Sequence, residues 1–256
     1  MTNQSNTGFV ALFQSWSRKA GIAVIAVGVA VLIGWILDIP LLKSMHPSLV
    51  SMKANTALAF LLSGIALLWL QAGQADQQKL RIARWCALAV ALVGLLTLSE
   101  YVLGRDFGID QLLFREPEGA VGTSTPGRMS PNTALNFLLV GLALRFIDYK
   151  SAGGHRPAQY LALAALAVAL LALLGYLYDV KALYGFASYT KMALHTVVAF
   201  VVLTLGILAA RPAQGFMRTL TSTGMGGELA RRLLPAAIVI PVVVGWLRLQ
   251  GERAGF

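Results

Sequence analysis

Apolar residues in this chain gather in runs long enough to cross a bilayer, not in the short alternations of a soluble core. At 1.5 Å per helical residue, about 30 Å of hydrocarbon takes roughly 20 residues. Seven stretches approach that length: about 20–37, 54–71, 83–103, 131–147, 158–178, 190–210 and 229–249. The pattern predicts an all-α polytopic membrane bundle of seven transmembrane helices. Ahead of the first run, Phe9, Leu12, Phe13 and Trp16 recur at i, i+3, i+4 and i+7, one stripe of a helix that ends at Arg18 and Lys19. Residues 1–19 are therefore expected as an interfacial N-terminal helix, and 20–256 as the seven-span domain. A cleaved signal peptide fits less well, because the run after Lys19 is about as long as a full span and has no clear small-residue cleavage site.

The run starts repeat. Met52, Asn55, Thr56 and Phe60 open the second span, Met129, Asn132, Thr133 and Phe137 the fourth, and Met192, His195, Thr196 and Phe200 the sixth, at identical offsets. At 100° per residue these positions fall within one half of the helix circumference, so each copy presents the same set to one neighbour. Gly64 and Gly141 extend the face, and Thr204 stands in the third copy. The odd spans end alike, in Gly34-Trp35, Ser99-Glu100-Tyr101, Gly175-Tyr176 and Gly245-Trp246, with aromatics where an interface belt is expected. The unit is a helix pair. Three pairs are complete, and the seventh span reads as half of a fourth that lacks its eighth helix.

Composition supports the membrane reading: 57% of the residues are hydrophobic and 12% charged, against about a quarter charged in soluble domains, with a mean hydropathy of +0.70. Seven spans leave only short connections, so no catalytic domain and no enzyme activity are expected. The net charge of +10 lies in loops between apolar runs, a topology signal and not a nucleic-acid-binding face. Basic residues favour the side that holds Arg18, Lys19, Lys79, Arg81 and Arg84. Asp38, Glu100, Asp106, Asp110, Glu116, Glu118, Asp179 and Glu252 lie opposite. The N-terminus is placed in the cytoplasm and the protein in a bacterial inner membrane. The single Cys86 excludes a disulfide framework and a four-cysteine metal site, and no metal is expected.

Met52 to Leu67 (MKANTALAFLLSGIAL), Gly108 to Phe114 (GIDQLLF), Pro126 to Leu144 (PGRMSPNTALNFLLVGLAL), Met192 to Phe200 (MALHTVVAF) and Gly226 to Gly255 resemble the multi-span N-terminal input region of certain bacterial sensor histidine kinases and diguanylate cyclases. The resemblance implies a sensory module followed by PAS and output domains, none of which is in this sequence. Its partners would be the lipid bilayer and a cytoplasmic output domain or protein, with a homodimer compatible. The alternatives are a small transporter or respiratory-type anchor binding quinone or haem, or a purely structural oligomerisation domain. Against transport, no span carries a charge near its middle.

Two readings of the repeated polar residues stay open. Asn55, Asn132 and His195, with Thr56, Thr133 and Thr196, either bond neighbouring helices or converge on an outward pocket lined by Met52, Met129, Met192, Phe60, Phe137 and Phe200. Such a pocket suits a quinone-like or other small apolar molecule. Glu100 either rims that site or pairs with Arg105 or Arg128. Haem is disfavoured, since His195 is the one histidine within a span and His46 and His155 fall in loops. A retinal Schiff base would need a buried lysine, and the seventh span has none. Pro235 and Pro241 favour a kink there. The connection from Gly104 to Met129 is the longest on its side, either a lid or a loop without a role.

Overall fold

The computed structural model describes residues 7–71, 76–178, 180 and 189–253. The ends of the expected 1–19 and 20–256 segments thus lie outside the described residues. What is described is all helix and connection: α1 (Thr7–Ile36), α2 (Pro40–Ser44), α3 (Ala54–Gln71), α4 (Gln77–Leu103), α5 (Pro131–Arg145), α6 (Pro157–Leu177), α7 (Leu194–Ala209), α8 (Met217–Thr221) and α9 (Met225–Arg253). Five of them, α1, α3, α4, α6 and α9, are long and apolar enough to cross a membrane. The runs at 131–147 and 190–210 form α5 and α7, of 15 and 16 residues. At about 22 and 24 Å they fall short of the hydrocarbon thickness. Both lie on the inside of the bundle, where packing on longer helices replaces a match to lipid.

Six helices close a ring in the order α1, α3, α4, α5, α6, α7 and back to α1. Within it α3, α5 and α7 also touch one another, so three even-span helices form an inner triangle and α1, α4 and α6 straddle its edges. This is a pseudo-threefold arrangement of the three sequence pairs. A fourth pair has no place in the closed ring, and α9 stands outside it with none of its apolar window buried. Tyr178 reaches α9 by donating its hydroxyl to the Val242 carbonyl at 2.8 Å, and Arg231 of α9 lies 4.5 Å over the Phe9 ring. The helix runs unbroken through Pro235 and Pro241.

The separate interfacial helix expected over 1–19 is instead the beginning of α1, continuous from Thr7 to Ile36. Its stripe divides: Phe13 packs on the core and Phe9 meets Arg231, while Leu12 and Trp16 are exposed. Helical spacing names a stripe, not whether protein or lipid covers it.

Backbones approach closely at small residues, and in the same register in the first two pairs. A Cβ on Gly28 would lie 2.7 Å from the Ala57 carbonyl oxygen, and one on Gly94 2.5 Å from that of Ala134. Gly64 and Gly141 repeat the contact from the inner helices, each 2.7 Å from the carbonyl oxygen of Gly21 or Ala87. The ring closes where Gly206 of α7 meets Ala20 of α1, and there Ser17 Oγ donates to the Gly206 carbonyl at 2.6 Å. Lipid tails are as apolar as leucine, so close packing and such hydrogen bonds, not water exclusion, hold helices together in a bilayer. Gly141→Leu should therefore lower the stability of the detergent-solubilised protein by about 1–3 kcal/mol or more. Gly226→Leu, where an added Cβ meets nothing within 4 Å, should leave the thermal midpoint unchanged.

Candidate functional site

The starts of α3, α5 and α7 gather at one end of the ring, called here the distal end. The three starts are built differently: Ser130 caps α5, whereas α7 follows Ala193 with no side-chain cap. The Ser130 hydroxyl accepts from the Thr133 amide at 3.2 Å and touches Thr133 Oγ1 at 2.8 Å. Met129 thus precedes the cap, Asn132 is the second helical residue and Thr133 the third, where free amides need acceptors. Asn55 plays a similar part in α3, its Oδ1 accepting from the Thr56 amide at 2.7 Å. In the first copy, then, the repeated asparagine serves the helix start, and in the second the capping side chain is Ser130 beside Thr133.

The structure does bring the repeated residues together. Met52, Met129 and Met192 are buried side chains of the distal core, and Thr56, Thr133 and Thr196 are nearly inaccessible. One turn deeper Phe60, Phe137 and Phe200 form a three-ring cluster, with centroids 4.7–4.9 Å apart and no exposed surface. These rings seal the threefold axis. Above them the space shared by Met52, Thr56, Met129, Thr133 and Thr196 is a cavity of about 10 Å³, enough for about one water. The outward pocket for a quinone-sized molecule expected at these residues is not open: the methionines and phenylalanines fill the volume a ligand would take. His195, at the position of the two asparagines, has both ring nitrogens buried with no hydrogen-bond partner among the described residues.

The aromatics that end the odd helices carry a second repeated contact that sequence reasoning missed. Trp35 Nε1 donates to the Met52 carbonyl at 2.9 Å, the Tyr101 hydroxyl to Met129 at 2.9 Å and the Tyr176 hydroxyl to Met192 at 2.6 Å. Each ties the end of an outer helix to the chain entering its inner partner. The available signal was that all three residues are hydrogen-bond donors and none is phenylalanine. A belt position requires an amphipathic ring equally, so the two roles look the same in sequence.

The connection from Gly104 to Met129 folds over the distal end as a lid. Lys53 Nζ lies 2.6 and 2.7 Å from the two carboxylate oxygens of Glu116 and donates to Thr123 Oγ1 at 2.7 Å. Both charged side chains are only 3% exposed. Glu116 also accepts from the Gly127 amide at 2.7 Å and from Ser51 Oγ at 3.0 Å, so its lone pairs are well used. Burial pushes the Lys53 ammonium down from its ordinary pKa while Glu116 opposes the shift. Removing one partner of such a pair strands a buried charge, at a cost of about 3–5 kcal/mol. The lid also joins the segment before α7, where the Lys191 amide donates to the Gly122 carbonyl at 2.9 Å.

Beside it Glu100 is fully buried. Its Oε1 accepts from the Phe107 amide at 2.9 Å, and its Oε2 lies 3.4 Å from Arg128 Nε. Of the two arginines considered for it, Arg128 is the neighbour. Arg128 also bonds Asp110 at 2.5 Å and lies 5.5 Å over the Tyr101 ring. Carboxylate oxygens of Glu100, Asp106 and Asp110 come within 4.8 Å of one another, with the guanidinium as their shared counter-charge. Burial pushes the Asp110 carboxyl up to about 6, and the charges of Glu100 and Asp106 add to the shift against the pull of Arg128. Neither the Lys53–Glu116 nor the Arg128–Asp110 pairing is marked in the sequence; its hints are Lys53, the one charge among the three repeat starts, and Arg128 as a candidate partner of Glu100.

No protein-family model, curated protein or solved structure matches this chain.

The folded state holds the Asp110 proton to a higher pH than an unfolded chain, whose ordinary value is 3.8. The folded protein therefore binds more protons between those values, and the Asp110 contribution to stability is greatest at low pH and is lost as pH rises through about 6. Thermal unfolding in detergent between about pH 4 and 7 should show this slope in the parent. Asp110→Asn, which cannot ionise, should flatten it; an unchanged slope would contradict the assignment.

Proposed function

We propose that this chain is a multi-span sensory input module of a bacterial signalling protein, lying in the inner membrane with its N-terminus in the cytoplasm and the distal lid outside. On this reading the membrane is crossed seven times, with α5 and α7 as short inner spans. The state of the module passes to a cytoplasmic output domain or partner. The sequence motifs that resemble input regions of sensor kinases and diguanylate cyclases support it, as does the excess of basic residues on the α3–α4 side.

The observation that carries the reading is a continuous set of contacts from the lid to the helix outside the ring. Lys53 and Glu116 hold the lid; Gly122 of the lid bonds Lys191; Tyr176 of α6 bonds Met192 beside it; and Tyr178, two residues on, bonds Val242 of α9. A helix free of the ring yet tied to it at such points is the kind of element that can shift by 1–2 Å without unpacking a core. The transport reading is disfavoured, because the Phe60, Phe137 and Phe200 rings close the axis along which a solute would pass. Sensing by a preformed quinone pocket is disfavoured by the same rings. The lid and its buried ion pairs are the element we assign to the stimulus.

Paired spin labels at Leu171→Cys on α6 and Val243→Cys on α9, in a Cys86→Ser background, test this. Releasing the lid with Glu116→Gln should shift or broaden the inter-label distance by about 2 Å. Superimposable distributions with an intact fold would leave α9 uncoupled from the lid and overturn the reading.

A further inference from the structure

At the opposite, proximal end a cavity of about 510 Å³ opens where α3 and α7 finish, bounded also by α1, α4 and the residues after α5. Its polar lining includes Gln14, Gln71, Arg84, Asp148, Arg211 and Gln214. We propose that this cavity binds a phosphate ester that carries a free hydroxyl, with Arg84 holding the phosphate and Gln214 accepting from the hydroxyl. The proposal goes beyond the sensory reading and does not rest on it.

The two arginines are not equivalent. Arg211 is already committed: it donates to Asp148 at 2.8 Å, to the Leu70 carbonyl at 2.9 Å and to its neighbour's carbonyl at 3.2 Å. Its charge is met by a carboxylate and by the negative ends of helices. Arg84, exposed on α4, has no carboxylate partner among the described residues. The lining is therefore left with one guanidinium in excess, and the planar fork of arginine suits a phosphate by two parallel hydrogen bonds.

The second unmet demand is for a donor. Gln214 Oε1 is buried with no partner, although the Gln214 backbone carbonyl is bonded by Gln159 at 2.8 Å. A buried acceptor left unpaired is costly, and a ligand hydroxyl removes that cost. A simple inorganic anion would satisfy Arg84 alone. The volume falls within the range of small-molecule sites. Trp85 follows Arg84 directly, Trp16 lies two residues from Gln14, and both indoles are exposed, the belt that marks the headgroup layer. The same chemistry is offered by a phosphatidylglycerol headgroup and by a free glycerol phosphate.

Full-length protein, delipidated in detergent, is titrated with phosphatidylglycerol, phosphatidylcholine or sn-glycerol 3-phosphate and followed by native mass spectrometry. Phosphatidylglycerol or glycerol 3-phosphate should occupy a single site, with phosphatidylcholine weaker. Arg84→Gln should weaken that binding by about tenfold and Gln214→Leu should weaken it by a smaller factor. Arg81→Gln, which removes the same charge from an exposed position of α4 outside the cavity, should bind as the parent does. Displacement of the lipid by glycerol 3-phosphate would identify the free ester as ligand, and its failure to bind or compete would identify the lipid; both support the site. Equal losses in Arg81→Gln and Arg84→Gln would reduce the effect to general charge, and equal binding of the two lipids would show no recognition of the headgroup; either would overturn it.

Discussion

Close approach of helix backbones at small side chains is the constraint on which the rest of this structure depends. In a bilayer two apolar helices gain little by leaving lipid for each other, so association rests on contact density and on the few hydrogen bonds that contact allows. Gly28 on Ala57, Gly94 on Ala134, and Gly64 and Gly141 on the facing helices bring the first two pairs to that distance in one register. The third pair has Thr204 where the others have glycine, and Thr204 turns its hydroxyl back to the Phe200 carbonyl at 2.7 Å. Because each pair is built alike, three of them close on themselves. The phenylalanines then meet at the axis, the methionines stack above them, and the inner helix starts are left at one end under the lid.

That end combines a sealed apolar plug with a costly polar cover. Buried ion pairs such as Lys53–Glu116 and Arg128–Asp110 add little net stability over apolar replacements, but each is strongly penalised when one member is lost. The three rings of the plug close the axis beneath the lid, so under the proposed sensory role a change in the lid would travel sideways, through the Gly122–Lys191 bond and the Tyr176 and Tyr178 hydroxyls. Those contacts end on α9, where Tyr178 meets the Val242 carbonyl.

The apolar helices and the threefold repeat are legible in sequence because apolar length and regular offsets are one-dimensional signals, although five helices and not seven are long enough to span. The all-helical fold and the gathering of Met52, Met129 and Met192 followed from them. The ring was not legible: the fourth-pair reading extended the repeat by one half-unit, whereas six helices already close. Nor did the sequence distinguish an interfacial stripe from the beginning of α1, since Phe9 and Phe13 face protein and Leu12 and Trp16 do not. Regular offsets bring Met52, Thr56, Met129, Thr133 and Thr196 to one place, but the volume left between them, about 10 Å³, is not written in the offsets. The partner of Lys53 lies 63 residues away across a folded loop, and no local pattern marks such a pair.

The ring closes within one chain through α1 against α7. A Cβ placed on Gly206 would lie 2.7 Å from that of Ala20, so a separation of α1 and α7 by about 1 Å brings the pair to the Cβ–Cβ spacing of a disulfide. In a Cys86→Ser background, the double variant Ala20→Cys, Gly206→Cys in membranes should form an intramolecular disulfide under mild oxidation, seen as a monomer with altered mobility that reduction reverses. Absence of the cross-link in folded protein, or its appearance only between chains, would contradict closure of the six-helix ring.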